Sequence, residues 1–143
     1  MIVRFDRTAQ ARHSSFMPPL RAASIALFLK ADVLLIRRAF APSAGYWSLP
    51  GGRLEPDETP EDCVRREIGE ELGFALGAVH FVETHQVPGF ELNVFAALLP
   101  DGAVPRPNAE IAGWQWQAPQ APLPEPHTDG LGGVLERARR TLR

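Results

Sequence analysis

The stretch that decides the fold is residues 52–74, which read GRLEPDETPEDCVRREIGEELGF. Thr59 is a good helix N-cap, Pro60 suits the first helical position, and Gly73 suits the position after the last turn. Between these limits, apolar residues recur at the i, i+4 and i+8 positions that make a stripe for a core: Val64, Ile68 and Leu72. The sequence therefore predicts a helix over about residues 60–72 with one buried face.

Apolar runs on both sides of this helix predict strands. On the N-terminal side they predict a hairpin and a short strand that ends in a glycine turn: 22–29, 33–36 and 47–52. On the C-terminal side they predict three further strands: 78–87, 90–99 and 111–117. Helical spacing returns between Leu131 and Leu142. This order of elements predicts an α/β fold, with a mixed sheet between helices. We expect residues 1–20 to form an N-terminal arm and residues 21–143 to form a single domain.

Composition excludes several classes of protein. The chain has 143 residues, of which 45% are apolar and 22% charged, as expected of one soluble domain. Its net charge of −2 gives no basic surface, so we expect neither nucleic acid nor membrane as a partner. Cys63 is the single cysteine, which rules out a disulfide within the chain and favours a reducing cytoplasm. No apolar run is long enough for a membrane span, and we find no signal peptide.

Three glutamates near the end of the predicted helix carry the chemical signal. Glu67, Glu70 and Glu71 stand at i, i+3 and i+4, so they share one helix face. Like charges at this spacing repel, and the helix dipole disfavours anions at a C-terminal end. The pattern is costly unless a hard divalent cation lies among the carboxylates, and Mg²⁺ prefers such oxygen ligands. The alternative is a solvated acidic face without a ligand.

The whole stretch resembles the box motif of the Nudix hydrolase family, G-x5-E-x7-R-E-U-x-E-E-x-G-U, where U is a bulky aliphatic residue. The matching positions are Gly52, Glu58, Arg66, Glu67, Ile68, Glu70, Glu71 and Gly73. Phe74 departs from the motif because it is aromatic. The resemblance implies the Nudix α/β/α sandwich. It also implies hydrolysis of the pyrophosphate link of a nucleoside diphosphate derivative.

The resemblance further implies a site that holds Mg²⁺ or Mn²⁺. Its ligands would be the three box carboxylates and a backbone carbonyl of the glycine turn: Glu67, Glu70, Glu71 and Gly52, or Gly51 in place of Gly52. Arg66 would orient the glutamates through ion pairs, chiefly with Glu58, so these two residues would support the site. The number of metal ions and the oligomeric state stay open, including a homodimer.

One carboxylate must accept a proton from the attacking water, and the family places this base differently in different members. The candidates here are Glu70, Glu71 and a later residue, Glu110. The segment from Glu110 to Trp116 resembles the late segment of the family, in which an acid precedes a strand tryptophan by six residues. The alternative is an ordinary loop carboxylate. Trp114 and Trp116 are predicted to face the same side of a strand, where we expect core packing, with base stacking as the alternative.

The resemblance implies a small nucleotide as substrate, and two further features suggest its identity. Residues 37–52 resemble the bacterial ADP-ribose pyrophosphatase branch, and Pro88 lies about 15 residues beyond the box, as in that branch. ADP-ribose is therefore the first expectation and a (d)NTP the second, with dinucleoside polyphosphates and nucleotide sugars left open. Arg37 and Arg53 are candidate phosphate-binding residues because arginine forks match phosphate geometry. A non-enzymatic binding module is disfavoured because every box glutamate is present.

Overall fold

The computed structural model describes residues 18–143, in which a seven-stranded mixed sheet lies between two helices. The elements in chain order are β1 (Leu20–Leu29), β2 (Asp32–Arg38), β3 (Trp47–Ser48), β4 (Gly51–Arg53), α1 (Pro60–Leu72), β5 (His80–Val87), β6 (Phe90–Leu98), β7 (Ile111–Gln117) and α2 (Leu131–Thr141). This arrangement confirms the predicted α/β class. Neither helix of residues 18–143 has the length and apolar character needed to cross a bilayer.

Strand β1 lies at the centre of the sheet. It runs parallel to β6 from the Leu20–Phe90 pair to the Phe28–Leu98 pair. Its other edge changes partner, because residues 22–24 pair with β4 and residues 28–29 pair with β2. Strand β2 then pairs with β3 and β7, and β5 pairs with β6 at the opposite edge. The change of partner brings the glycine turn of β4 next to the middle of the sheet.

Alternating residues of β1 supply two cores, one on each face of the sheet. Ala23, Ile25 and Leu27 face α1, together with the predicted helix stripe of Val64, Ile68 and Leu72. Ala26 and Phe28 face α2. The partly buried indoles of Trp114 and Trp116 pack against the α1-side core, with ring centroids 6.3 Å apart. Their predicted common face and core contact are therefore present.

Helix α1 has the limits that its sequence predicts. Thr59 Oγ1 accepts a hydrogen bond from the Asp62 backbone N–H at 3.1 Å, and Gly73 ends the helix with a φ of 81°. Residues 47–52 differ from the prediction, because they form parts of two short strands in place of one. Trp47 and Ser48 pair with β2, whereas Gly51 and Gly52 pair with β1, so the strand is interrupted between the two pairs of residues.

The predicted N-terminal arm lies outside the described residues up to position 17. Its last residue, Leu20, is the first residue of β1.

Candidate metal centre

The glycine turn of β4 fits tightly between β1 and α1. A Cβ atom on Gly51 would lie 2.1 Å from the Ala23 carbonyl oxygen, which is backbone and cannot move aside. A Cβ atom on Gly52 would lie 2.3 Å from Glu67 Oε1. A residue without a side chain is therefore required at position 51, whereas a side chain at position 52 would displace the Glu67 carboxylate. At Gly52 the space is taken by a carboxylate of the helix.

Glu67 and Glu71 of α1 meet Glu110, which precedes β7, so that one carboxylate oxygen from each lies within 4.8 Å of the other two. The Glu71 side chain is buried, with 5% of the residue exposed, whereas Glu110 is exposed. The sequence predicted Glu67 and Glu71 on one helix face and Glu110 on a later loop that could reach them. The structure brings these three residues together.

The environment of Glu71 favours its neutral form. Burial, a hydrogen bond with Glu67 and the negative charges of Glu67 and Glu110 raise the pKa of Glu71 to about 9. Three ionised carboxylates at this separation need a compensating positive charge, because Coulomb repulsion is strong in a partly buried site. The donor set consists of carboxylate oxygens alone, so it fits a hard divalent cation.

A short segment before β7 carries Glu110 across the C-terminal end of α1. Its residues donate hydrogen bonds to carbonyl groups of the last helical turn: Arg106 N to Leu72 O at 2.8 Å, Asn108 N to Glu71 O at 2.9 Å, and Asn108 Nδ2 to Glu70 O at 3.1 Å. Asn108 Oδ1 accepts a hydrogen bond from the Glu110 N–H at 2.9 Å. Sequence reasoning missed Asn108. The available signal was an asparagine two residues before the candidate acid, a spacing typical of an Asx turn, in which the side chain bonds the backbone two residues on.

Arg66 is the centre of an ion-pair network that shares Glu67 with the carboxylate cluster. Its guanidinium donates to both carboxylate oxygens of Glu58, at 2.8 and 2.9 Å, and to Glu67 Oε1 at 3.0 Å. It also donates to the Arg53 carbonyl at 3.0 Å. The bond from Arg66, with one from the Glu55 N–H, lowers the pKa of Glu58 to about 2. The predicted Arg66–Glu58 pair is thus present, and its supporting role in activity stays a prediction.

Glu70 lies apart from the three clustered carboxylates. Its side chain is 58% exposed, and Oε2 lies 3.3 Å from Arg66 Nη1. Its assignment as a ligand and candidate base stays a prediction. The Gly52 carbonyl, another predicted ligand, accepts a hydrogen bond from the Cys63 thiol at 3.5 Å. Gly52 lies beside Glu67 of the cluster, where a Cβ atom would meet the carboxylate, and ligation by its carbonyl stays a prediction.

The two candidate phosphate-binding arginines have different surroundings. The Arg37 guanidinium carbon lies 5.7 Å from the centroid of the Trp47 ring, a cation–π arrangement. Arg53 is exposed on β4. Within residues 18–143, neither side chain forms an ion pair with the carboxylate cluster. Their binding roles stay predictions.

A cavity of about 500 Å³ opens on the other face of the sheet, between β1, β6 and α2. Ser24 lines this cavity and is the register partner of Gly51, so one wall of the cavity adjoins the glycine turn. Asp129 and Arg137 line it from the α2 side, and Arg137 is held by hydrogen bonds to Glu83. The sequence did not reveal this cavity, because it forms between elements that are distant along the chain.

Comparison with known proteins identifies the family. The family model of the NUDIX domain matches residues 18–138. A MutT-like protein of Streptomyces ambofaciens is 37% identical over 112 residues, which are 71% of this chain and 67% of that protein. The CTP pyrophosphohydrolase of Escherichia coli (strain K12) is 33% identical over 97 residues, 66% of this chain and 72% of that protein.

Other relatives are matched over smaller shares of their own length, 58% and 37% in two cases. Among solved structures, the MutT NUDIX hydrolase from Burkholderia pseudomallei has a TM-score of 0.74 and 32% identity, covering 85% of this chain and 98% of that one. The chain therefore belongs to the Nudix hydrolase family.

Proposed function

We propose that the chain hydrolyses a phosphoanhydride bond of nucleoside triphosphates, with Mg²⁺ or Mn²⁺ held by Glu67, Glu71 and Glu110. The observation that carries this proposal is the carboxylate cluster, in which the three residues offer oxygens within 4.8 Å of one another. Neither a solvated acidic face nor a purely structural helix end needs a buried glutamate among like charges.

The metal ions would supply the positive charge that the site lacks: when bound, they neutralise phosphate oxygens and lower the pKa of water. The residues of the chain would then orient the metal ligands and remove a proton from the attacking water. Arg66 fixes Glu67 through the hydrogen bond at 3.0 Å, and the same guanidinium is anchored on Glu58. Burial of Glu71 keeps water from one side of the cluster.

Glu110 is the proposed general base. It is the exposed member of the cluster, so bulk water reaches its carboxylate directly. A carboxylate oxygen of Glu110 would accept the proton of the attacking water, which is a contribution typically worth about 10²–10⁴-fold in rate. Glu70 and Glu71 are the alternative bases from the sequence; the carboxylate of Glu70 is exposed beside Arg66, and that of Glu71 is buried.

The similarity to a CTP pyrophosphohydrolase and to MutT-like proteins favours a nucleoside triphosphate as substrate. The cavity on the α2 side is large enough for a nucleoside, and it adjoins the Gly51–Gly52 turn. ADP-ribose is the second candidate. It is favoured by residues 37–52 and by Pro88, which lies in the turn between β5 and β6.

A cytoplasmic location is expected from the single cysteine.

The test is a panel of nucleoside triphosphates, deoxynucleoside triphosphates and ADP-ribose, assayed with Mg²⁺, with Mn²⁺ and with excess EDTA. Chromatography of the products distinguishes a nucleoside monophosphate plus pyrophosphate from AMP plus ribose 5-phosphate. We expect hydrolysis of at least one triphosphate with metal, its loss in EDTA, and its return when Mg²⁺ exceeds the chelator. Full turnover in EDTA would overturn the metal site. A kcat/KM for ADP-ribose above that of every triphosphate would replace the first substrate by the second.

A further inference from the structure

We infer that Asn108 is a positioning residue that holds the Glu110 carboxylate against the end of α1 and so sets its place in the cluster. The inference rests on the proposed function, because it concerns the role of Glu110 in catalysis. Asn108 itself is not expected to touch substrate or metal.

The amide of Asn108 joins the two segments by hydrogen bonds in opposite directions. Its Nδ2 donates to the Glu70 carbonyl at 3.1 Å, and its Oδ1 accepts from the Glu110 N–H at 2.9 Å. Its backbone N–H also donates to the Glu71 carbonyl at 2.9 Å. One residue therefore contacts the backbone of two box glutamates and that of the candidate base.

The chemistry of these partners requires an amide side chain. A helix carbonyl needs a donor and the Glu110 N–H needs an acceptor, so the two partners also fix the orientation of the amide. Aspartate has nearly the same shape but offers acceptors only. It would also place another negative charge near the helix C-terminus, where the dipole disfavours anions, and near three carboxylates.

The loop does not depend on the Asn108 side chain for its attachment to the helix. The Arg106 N–H donates to the Leu72 carbonyl at 2.8 Å, and the Ala39 N–H donates to the Glu110 carbonyl at 2.9 Å. Both are backbone bonds that an alanine at position 108 leaves in place. Loss of the amide should therefore affect the placement of Glu110 more than the presence of the loop.

The experiment measures kcat, KM and melting temperature for Asn108→Ala and Asn108→Asp, alone and combined with Glu110→Gln. We expect Asn108→Ala to lower kcat by about 10–100-fold, as is typical of residues that orient a catalytic group. KM should stay within about threefold, because the change acts on the transition state. Asn108→Asp should lower kcat at least as much. In the Glu110→Gln background, Asn108→Ala should have little further effect, since Asn108 acts through Glu110.

A matched control separates positioning from stability. Thr59 caps the other end of α1 through its bond to the Asp62 N–H, so Thr59→Ala weakens the same helix without contacting Glu110. We expect Thr59→Ala to lower the melting temperature by a few degrees and to leave kcat unchanged.

Two outcomes would overturn the inference alone: a normal kcat for both Asn108 variants while Glu110→Gln is impaired, or an equal loss from Asn108→Ala in the two backgrounds. A normal kcat for Glu110→Gln would instead overturn the proposed base, and the inference with it. If Asn108→Ala does not fold, the kcat of Asn108→Asp tests the inference. Aspartate keeps the acceptor for the Glu110 N–H and loses the donor to the Glu70 carbonyl.

Discussion

The glutamates at the two ends of helix α1 have opposite surroundings. Glu58 precedes the N-terminal end and receives two hydrogen bonds from Arg66, which help to lower its pKa to about 2. Glu71, in the last turn, is buried beside Glu67 and Glu110, and its pKa is raised to about 9. Both residues belong to the same box motif, and they are 13 positions apart in the sequence.

This difference agrees with the proposed roles, in which Glu58 supports the site and Glu71 binds a metal ion. The chain supplies Glu58 with its own cation, so the pair is complete without help from solution. The chain supplies Glu71 with further anions, and a divalent cation is the simplest partner that would restore its charge. The surrounding charges distinguish the two glutamates, whereas their residue type and motif do not.

The largest expected effect comes from Glu71→Gln. Loss of a proposed ligand should lower kcat by more than about 100-fold, beyond the 10–100-fold typical of residues that only orient a ligand. Melting temperature in EDTA should not fall, because the metal-free site favours the neutral form of Glu71, and glutamine is a neutral group of nearly the same shape. Kinetics with Mg²⁺ and thermal unfolding in EDTA are the two measurements.

Glu61→Gln is the matched control for that variant, because Glu61 is exposed in the first turn of α1 and pairs with Arg65 at 3.2 Å. Its kcat should equal that of the unmodified chain. Normal kcat together with a large loss of metal-free stability for Glu71→Gln would show that Glu71 is structural.

An intermediate effect is expected from the glycine turn, where Gly51→Ala and Gly52→Ala should differ in kind. The Cβ of Gly52→Ala meets the Glu67 carboxylate, which can swing away, so activity should fall by about 10–100-fold with little loss of stability. The Cβ of Gly51→Ala meets the backbone of Ala23, so the free energy of unfolding should fall by about 1–3 kcal/mol. Urea unfolding and kcat, measured on both variants, test the predicted difference. Equal free energies of unfolding for the two variants would contradict the prediction.

The smallest effect on activity is expected from Glu58→Gln, whose main result is a change in the pH dependence of stability. The pKa of Glu58 is lowered in the folded state, so its ion pair stabilises the fold above the ordinary value near 4.5. That contribution is lost as the pH falls from about 4.5 towards 2. The variant should be less stable than the unmodified chain at pH 7, and this gap should narrow at pH 3.

Urea unfolding of both proteins between pH 7 and pH 3 measures the gap. The kcat of Glu58→Gln should fall by about 10-fold, because Arg66 loses its anchor and holds Glu67 less firmly. A gap in stability that stays constant or widens as the pH falls would contradict the role of the Glu58–Arg66 pair.

Local signals predicted the fold well. Thr59 and Gly73 predicted the limits of α1, because capping depends on a few neighbouring residues. The division of residues 47–52 into β3 and β4 could not be predicted. It depends on two different partners, β2 and β1, that lie far away in the sequence.

For the site, helical spacing placed Glu67 and Glu71 together, and the family resemblance suggested Glu110. The prediction treated Glu70 and Glu71 alike, although Glu71 stands three residues after Ile68 and seven after Val64, on the buried stripe, whereas Glu70 lies off that stripe and is exposed. It also gave Asn108 no role, because hydrogen bonds between a loop and the end of a helix 37 positions earlier depend on the tertiary fold.

The burial of Cys63 has a practical consequence for labelling. Its side chain is fully buried, and burial, followed by the charges of Glu58 and Glu67, raises the pKa of the thiol to about 12. Thiol reagents attack through the thiolate, so the native cysteine should be inert to maleimides at neutral pH. A cysteine introduced at an exposed position such as Val104 would then be the single reactive thiol. A fluorophore placed there could report on the loop before Asn108 without removal of the native cysteine.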